Sequence, residues 1–75
     1  MMNKEDAIKK IKEINSSYNM MTEYEKGFMF WVDTEERTIG GGNAPKVVMK
    51  EDGKIISMAQ AVMIGLGEEI ADVKV

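Results

Sequence analysis

Near the start of the chain Ala7, Ile8, Ile11 and Ile14 recur at three- and four-residue intervals, with Lys4, Lys9, Lys10, Lys12 and Glu13 between them. That spacing gathers the apolar side chains on one face of an amphipathic helix, expected over residues 4–16. Asn3 stands where its side chain can cap the first turn, and Glu5 and Asp6 lie at the end of the helix dipole that favours negative charge. Glu5 with Lys9 and Asp6 with Lys10 add i,i+4 pairs worth about 0.2–0.5 kcal/mol each. Ser16, Ser17 and Asn19 then break the pattern.

After Gly27 the periodicity changes. Phe28-Met29-Phe30-Trp31-Val32 is short, aromatic and β-branched, which favours a strand. Phe28, Phe30 and Val32 point to one side of it, Met29 and Trp31 to the other, so both sides require cover. A polar segment, residues 33–38, leads into Gly40-Gly41-Gly42-Asn43-Ala44-Pro45, and three consecutive glycines make a loop. Two apolar runs, Val47 to Glu51 and Lys54 to Ser57, then flank Asp52-Gly53, the dipeptide of a two-residue hairpin turn. In that register Glu51 faces Lys54 and Met49 faces Ile56, so Val47, Met49, Ile56 and Met58 form one apolar face on which the first helix can pack. The other face carries Val48 and Ile55 among Lys50 and Ser57.

Ser57 and Gln60 have capping-box spacing, so Met58 to Leu66 reads as a short helix ended by a left-handed Gly67, with a strand as the competing reading. Ala71, Val73 and Val75 alternate with Asp72 and Lys74, as in a final edge strand. The expected architecture is a single α+β domain over residues 1–75. An N-terminal amphipathic helix packs on a small three- to four-stranded, mainly antiparallel sheet, joined by a second helix if residues 58–66 take the helical option.

Composition narrows what such a domain can do. A chain of 75 residues buries roughly 60% of the surface it would expose unfolded, enough for one core only. It has no cysteine to staple that core, so association with another copy is a second source of stability. Its net charge is -3 and Arg37 is its only arginine, which argues against nucleic acid as a partner. The first residues lack the apolar stretch of a signal peptide, and the longest nearly apolar run, Met58 to Leu66, is far short of the ~20 residues that span a bilayer. The expectation is a cytoplasmic protein with no membrane contact.

The chain has no histidine and no cysteine, so nucleophile–base pairs and the usual zinc ligand sets cannot be assembled. Asp33, Glu35, Glu36, Glu68 and Glu69 remain as carboxylates, but adjacent glutamates diverge and so small a core leaves little room for a pocket that would separate their pKa values. A solvated acidic loop is the preferred reading, and no catalytic residue is expected. The glycine run is no phosphate loop, because Pro45 and Val47 occupy the positions that loop needs for glycine and hydroxyl and a strand follows. Gly65-Leu66-Gly67 lacks the third glycine of a dinucleotide fingerprint. Arg37 falls where a calcium loop needs an oxygen. No cofactor and no metal is expected. The candidate contact residues are Trp31, an aromatic that serves cores and interfaces alike, and the charged, glycine-rich loop with Asp33, Glu35, Glu36, Arg37 and Asn43.

The amphipathic first helix, the aromatic strand Gly27-Phe28-Met29-Phe30-Trp31, the loop ending Gly42-Asn43-Ala44-Pro45 and the apolar strand into Glu51-Asp52-Gly53-Lys54 resemble the Immunity protein 35 family of small bacterial α+β proteins. The resemblance covers residues 28–56, with the helix as loose support. Ala44 stands where the family tends to have glycine, and the segment between strand and loop is shorter. What the resemblance implies is a cytoplasmic protein that neutralises a cognate toxin by binding it. It carries over no catalytic residue. The alternative is a small homo-oligomeric accessory protein of a bacterium or mobile element, with the second apolar sheet face buried in a homodimer.

Overall fold

The computed structural model describes residues 2–32 and 45–75. They form two helices and a five-stranded sheet, an α+β arrangement in the order α1 (Lys4–Ile14), β1 (Met20–Tyr24), β2 (Gly27–Trp31), β3 (Lys46–Met49), β4 (Ile55–Ser57), α2 (Met58–Ile64) and β5 (Glu69–Lys74). The sheet runs β4-β3-β2-β1-β5 and every pairing is antiparallel. Strands β1 to β4 follow one another as a meander. The chain then returns through α2 to lay β5 on the far side of β1.

Asn3 caps α1 as its position requires: the Asp6 N–H donates to its side-chain oxygen at 2.8 Å. Ala7 and Ile11 are fully buried on the sheet side of α1. The helix stops at Ile14, two residues short of the expected end, where Asn15 takes an extended conformation.

The strand that the residue pattern does not announce is β1. It is central, with Met21 packed under α1 and Thr22 buried on the opposite face, so no polar-apolar alternation marks it. With β1 the sheet has five strands rather than three or four.

Two apolar clusters sandwich the sheet. Ala7, Ile11, Tyr18, Met21, Phe28, Phe30 and Val48 form the larger one beneath α1, edged by Ile55, Val73 and Val75. Val47, Ile56, Ala61 and Leu66 form the smaller one beneath α2, edged by Tyr24, Met29, Met49 and Met58. The face made by Val47, Met49, Ile56 and Met58 is therefore real, but α2 covers it and α1 covers the opposite face. Both sides of the β3–β4 hairpin are apolar, so the pattern along these strands does not decide which helix goes where.

The hairpin also turns differently from the two-residue expectation. Val47 pairs with Ile56 and Val48 with Ile55, leaving the four-residue loop Lys50 to Gly53. A two-residue turn needs positive φ at both central positions. Only Gly53 has it, at 72°, while the Asp52 carboxylate instead accepts the Lys54 N–H at 2.9 Å. The register moves by two residues, which preserves the facing of every side chain. The loop is held from the α1 side, since the Met2 N–H donates to the Lys50 carbonyl at 2.6 Å and the Lys10 ammonium donates to the Gly53 carbonyl.

The helical reading holds for the segment after Ser57. The Gln60 N–H donates to Ser57 Oγ and the Ser57 N–H donates to Gln60 Oε1, both at 3.2 Å, a reciprocal capping box. The helix ends at Ile64 rather than Leu66. Gly65 is the C-cap, at φ 85° and ψ 126°, and its N–H donates to the Ala61 carbonyl at 2.8 Å; Gly67 has the expected positive φ, at 82°, but lies beyond the end of the helix.

Candidate functional site

Among the candidate contact residues, Trp31 lies at the end of β2 and is half-buried. Its indole N–H donates to Thr22 Oγ1 at 3.2 Å, and the Thr22 hydroxyl donates to the Asp72 carboxylate. This relay ties β2, β1 and β5 together on the α2 side of the sheet. It gives the polar end of Trp31 a partner within the fold. Asp33, Glu35, Glu36, Arg37 and Asn43 lie outside the described residues.

The surface that sequence reasoning missed is α2 itself. Six of the seven residues in Met58-Ala-Gln-Ala-Val-Met-Ile64 are apolar, and the exception, Gln60, is used in the cap. Only Ala61 is buried. Val62, Met63 and Ile64 are 68%, 87% and 59% exposed. A helix that is apolar all round belongs inside a core, yet this one rests on the sheet by a single narrow edge. The signal was present in the chain: three consecutive apolar residues span most of a helical turn, so one buried stripe cannot take them all.

Concave ground lies on both sides of this ridge. On one side an open cleft of about 430 Å³ is lined by Ile64, Met49, Glu25, Lys26, Lys50 and Glu51. On the other a shallower one of about 240 Å³ is lined by Val62, Met58, Tyr24 and Leu66 with Gly65 and Gly67. Apolar side chains at the centre with mixed charges at the margin match the layout of protein contact surfaces, an apolar middle with a polar rim.

One charge at the cleft margin has partners within the fold. Lys50 Nζ lies 2.8 Å from Glu23 Oε2 and 5.0 Å from the centre of the Phe28 ring. Glu68 and Glu69 are exposed. Among the described residues no three acidic side chains converge as a metal site would require. Burial pushes the Tyr18 hydroxyl above its ordinary pKa. Among the same residues no helix is long and apolar enough to cross a membrane.

No family model, curated protein or solved structure matches the chain. The resemblance to the Immunity protein 35 family therefore rests on the quoted residues alone.

Proposed function

We propose that this chain is a non-catalytic protein-binding domain whose contact surface is centred on the outer face of α2. The observation that carries this reading is the exposure of Val62, Met63 and Ile64 side by side on one short helix. Scattered exposed apolar residues are ordinary on any protein, but three adjoining ones on a ridge between two clefts form a patch. Glu25 and Glu51 alternate with Lys26 and Lys50 at its margin, a balanced polar rim rather than the basic patch that an anionic membrane or nucleic acid would take, which favours a protein. The homodimer alternative places its contact on the second sheet face; α2 occupies part of that face.

The finer reading is an immunity protein that neutralises a bacterial toxin by covering it, supported by the resemblance over residues 28–56. The test has two arms. Wild-type protein and Met63→Asp are used as bait in the native host, and the captured partner is then co-expressed with each. A partner held by the wild type and released by Met63→Asp supports the binding reading. Restored growth only with the wild type supports the toxin reading. Equal capture by both baits would remove α2 as the contact.

A further inference from the structure

The outer edge of β5 points to a second partner, independent of α2. Among the described residues β5 has no strand on its far side, and Glu69 to Asp72 and Lys74 are exposed. The opposite edge, β4, is only three residues long and runs directly into α2, so it offers little to pair with. β5 is twice that length.

The backbone pattern says which groups are free. The Val75 N–H donates to the Asn19 carbonyl at 2.9 Å, in line with the β1–β5 register Met20↔Lys74, Met21↔Val73 and Thr22↔Asp72. In an antiparallel pair, backbone groups alternate between the two sides of a strand. Val75, Val73 and Ala71 therefore turn theirs toward β1, and Lys74 and Asp72 turn theirs outward. The side chains agree. Thr22 and Asp72 are bonded to each other through their side chains, as suits the closely spaced, non-hydrogen-bonded pair.

We propose that two copies of this chain pair through β5, antiparallel and in one register, joining two five-stranded sheets edge to edge. The two-fold axis passes at Val73. Asp72 of each copy then stands opposite Lys74 of the other, and each such couple exchanges two backbone hydrogen bonds. Opposite charges face each other twice on the α2 side, while Val73 meets Val73 and Ala71 meets Val75 on the α1 side. Sliding by one pairing step sets Asp72 against Asp72, which like-charge repulsion opposes. That same step sets Ile70 opposite Lys74, where the β1–β5 register is interrupted between Glu23 and Tyr24 and a bulge ends regular pairing; a step the other way sets Lys74 against Lys74. A lysine on an edge strand ordinarily deters pairing. Here the aspartate two residues away makes the edge self-complementary.

Charge exchange tests the register. Solution mass is measured across a wide dilution series for the wild type, Lys74→Asp, Asp72→Lys and an equal mixture of the two variants. The expected result is a reversible dimer for the wild type and dissociation about tenfold easier for either variant alone, since two attractive couples become repulsive. The mixture forms a heterodimer. One chain is then acidic at both positions and the other basic at both, so each couple is again of opposite sign. Lys74→Asp keeps the Thr22–Asp72 bond, so unchanged Trp31 fluorescence shows that its fold is intact. A wild type that stays monomeric throughout, a Lys74→Asp dimer as tight as the wild type, or folded variants that fail to associate on mixing would each overturn the proposal. Loss of partner capture by Met63→Asp with the dimer intact, or the reverse, separates this edge from the α2 surface.

Discussion

Glu23 on β1 and Lys50, just beyond β3, form an ion pair of 2.8 Å although β2 lies between their strands. The Lys50 ammonium also lies over the Phe28 ring, 5.0 Å from the ring centre. Both side chains are largely covered, so neither charge is fully solvated if the other is removed. Glu23→Gln is expected to cost about 1–2 kcal/mol, between the values for exposed and buried pairs. Glu23→Gln combined with Lys50→Met is expected to cost less than the single change. Urea unfolding of the three proteins checks this; a double variant less stable than Glu23→Gln would contradict the account.

Ser57 is the residue on which α2 depends. A helix of seven residues is too short to persist by its own propensity, and its inner side is fastened only by buried Ala61 and partly buried Met58. Ser57→Ala removes one half of the capping box and is expected to cost about 1 kcal/mol. Because the helix carries the proposed contact, partner affinity should fall with no contact residue altered. Amide exchange should show the effect confined to residues 58–64. Faster exchange across the whole sheet would mean that the cap supports the fold at large.

How much of this was written along the chain varies with how many faces an element buries. α1 buries one face, and the spacing of Ala7, Ile8 and Ile11 announces it. β2 is legible from its aromatics. β1 is hidden because Met21 and Thr22 are both buried, on opposite sides, which erases the alternation that marks a half-buried strand. Two different things were unreadable at the hairpin. Its faces were right while its register was two residues off, because Asp52 completes the turn through its side chain instead of through a positive φ. The assignment of helices to faces depends on the whole sheet, and nothing within β3 and β4 distinguishes α1 from α2. At the candidate site, the aromatic Trp31 sits in the Thr22–Asp72 relay, whereas Val62, Met63 and Ile64 carry no mark as contact residues while residues 58–66 read equally as helix or strand, since their exposure follows from the helix and from where it rests on the sheet.

Tyr18 sets a limit at alkaline pH. Burial raises its pKa in the folded chain above the unfolded value of about 10. Above that pH the unfolded chain loses a proton that the folded chain keeps, so stability falls as pH rises. The contribution is complete below about pH 10 and disappears as pH passes through the higher folded value. Tyr18→Phe removes the titrating group, and its stability should decline less between neutral pH and the alkaline range than that of the wild type. Parallel pH slopes for the two proteins would assign the alkaline loss to other groups.

Met63 and Leu66 lie three residues apart and should respond in opposite ways. Leu66 is buried with Val47, Ile56 and Ala61, so Leu66→Ala opens a cavity in the smaller of the two clusters. Truncations of this kind cost about 2–5 kcal/mol, which is a large share of the stability of so small a domain. Met63 is 87% exposed and touches little of its own fold, so Met63→Ser should change stability by less than about 0.5 kcal/mol. The partner experiment reverses the order of importance at matched folded concentration. Met63→Ser should weaken capture more than Leu66→Ala does in its folded fraction, since Leu66 is buried and lines only the shallower cleft beside the ridge. Thermal unfolding supplies the first comparison and titration of the captured partner the second. A Met63→Ser variant with strongly reduced stability would show that the ridge is packed within the chain, and the contact would then have to be sought elsewhere.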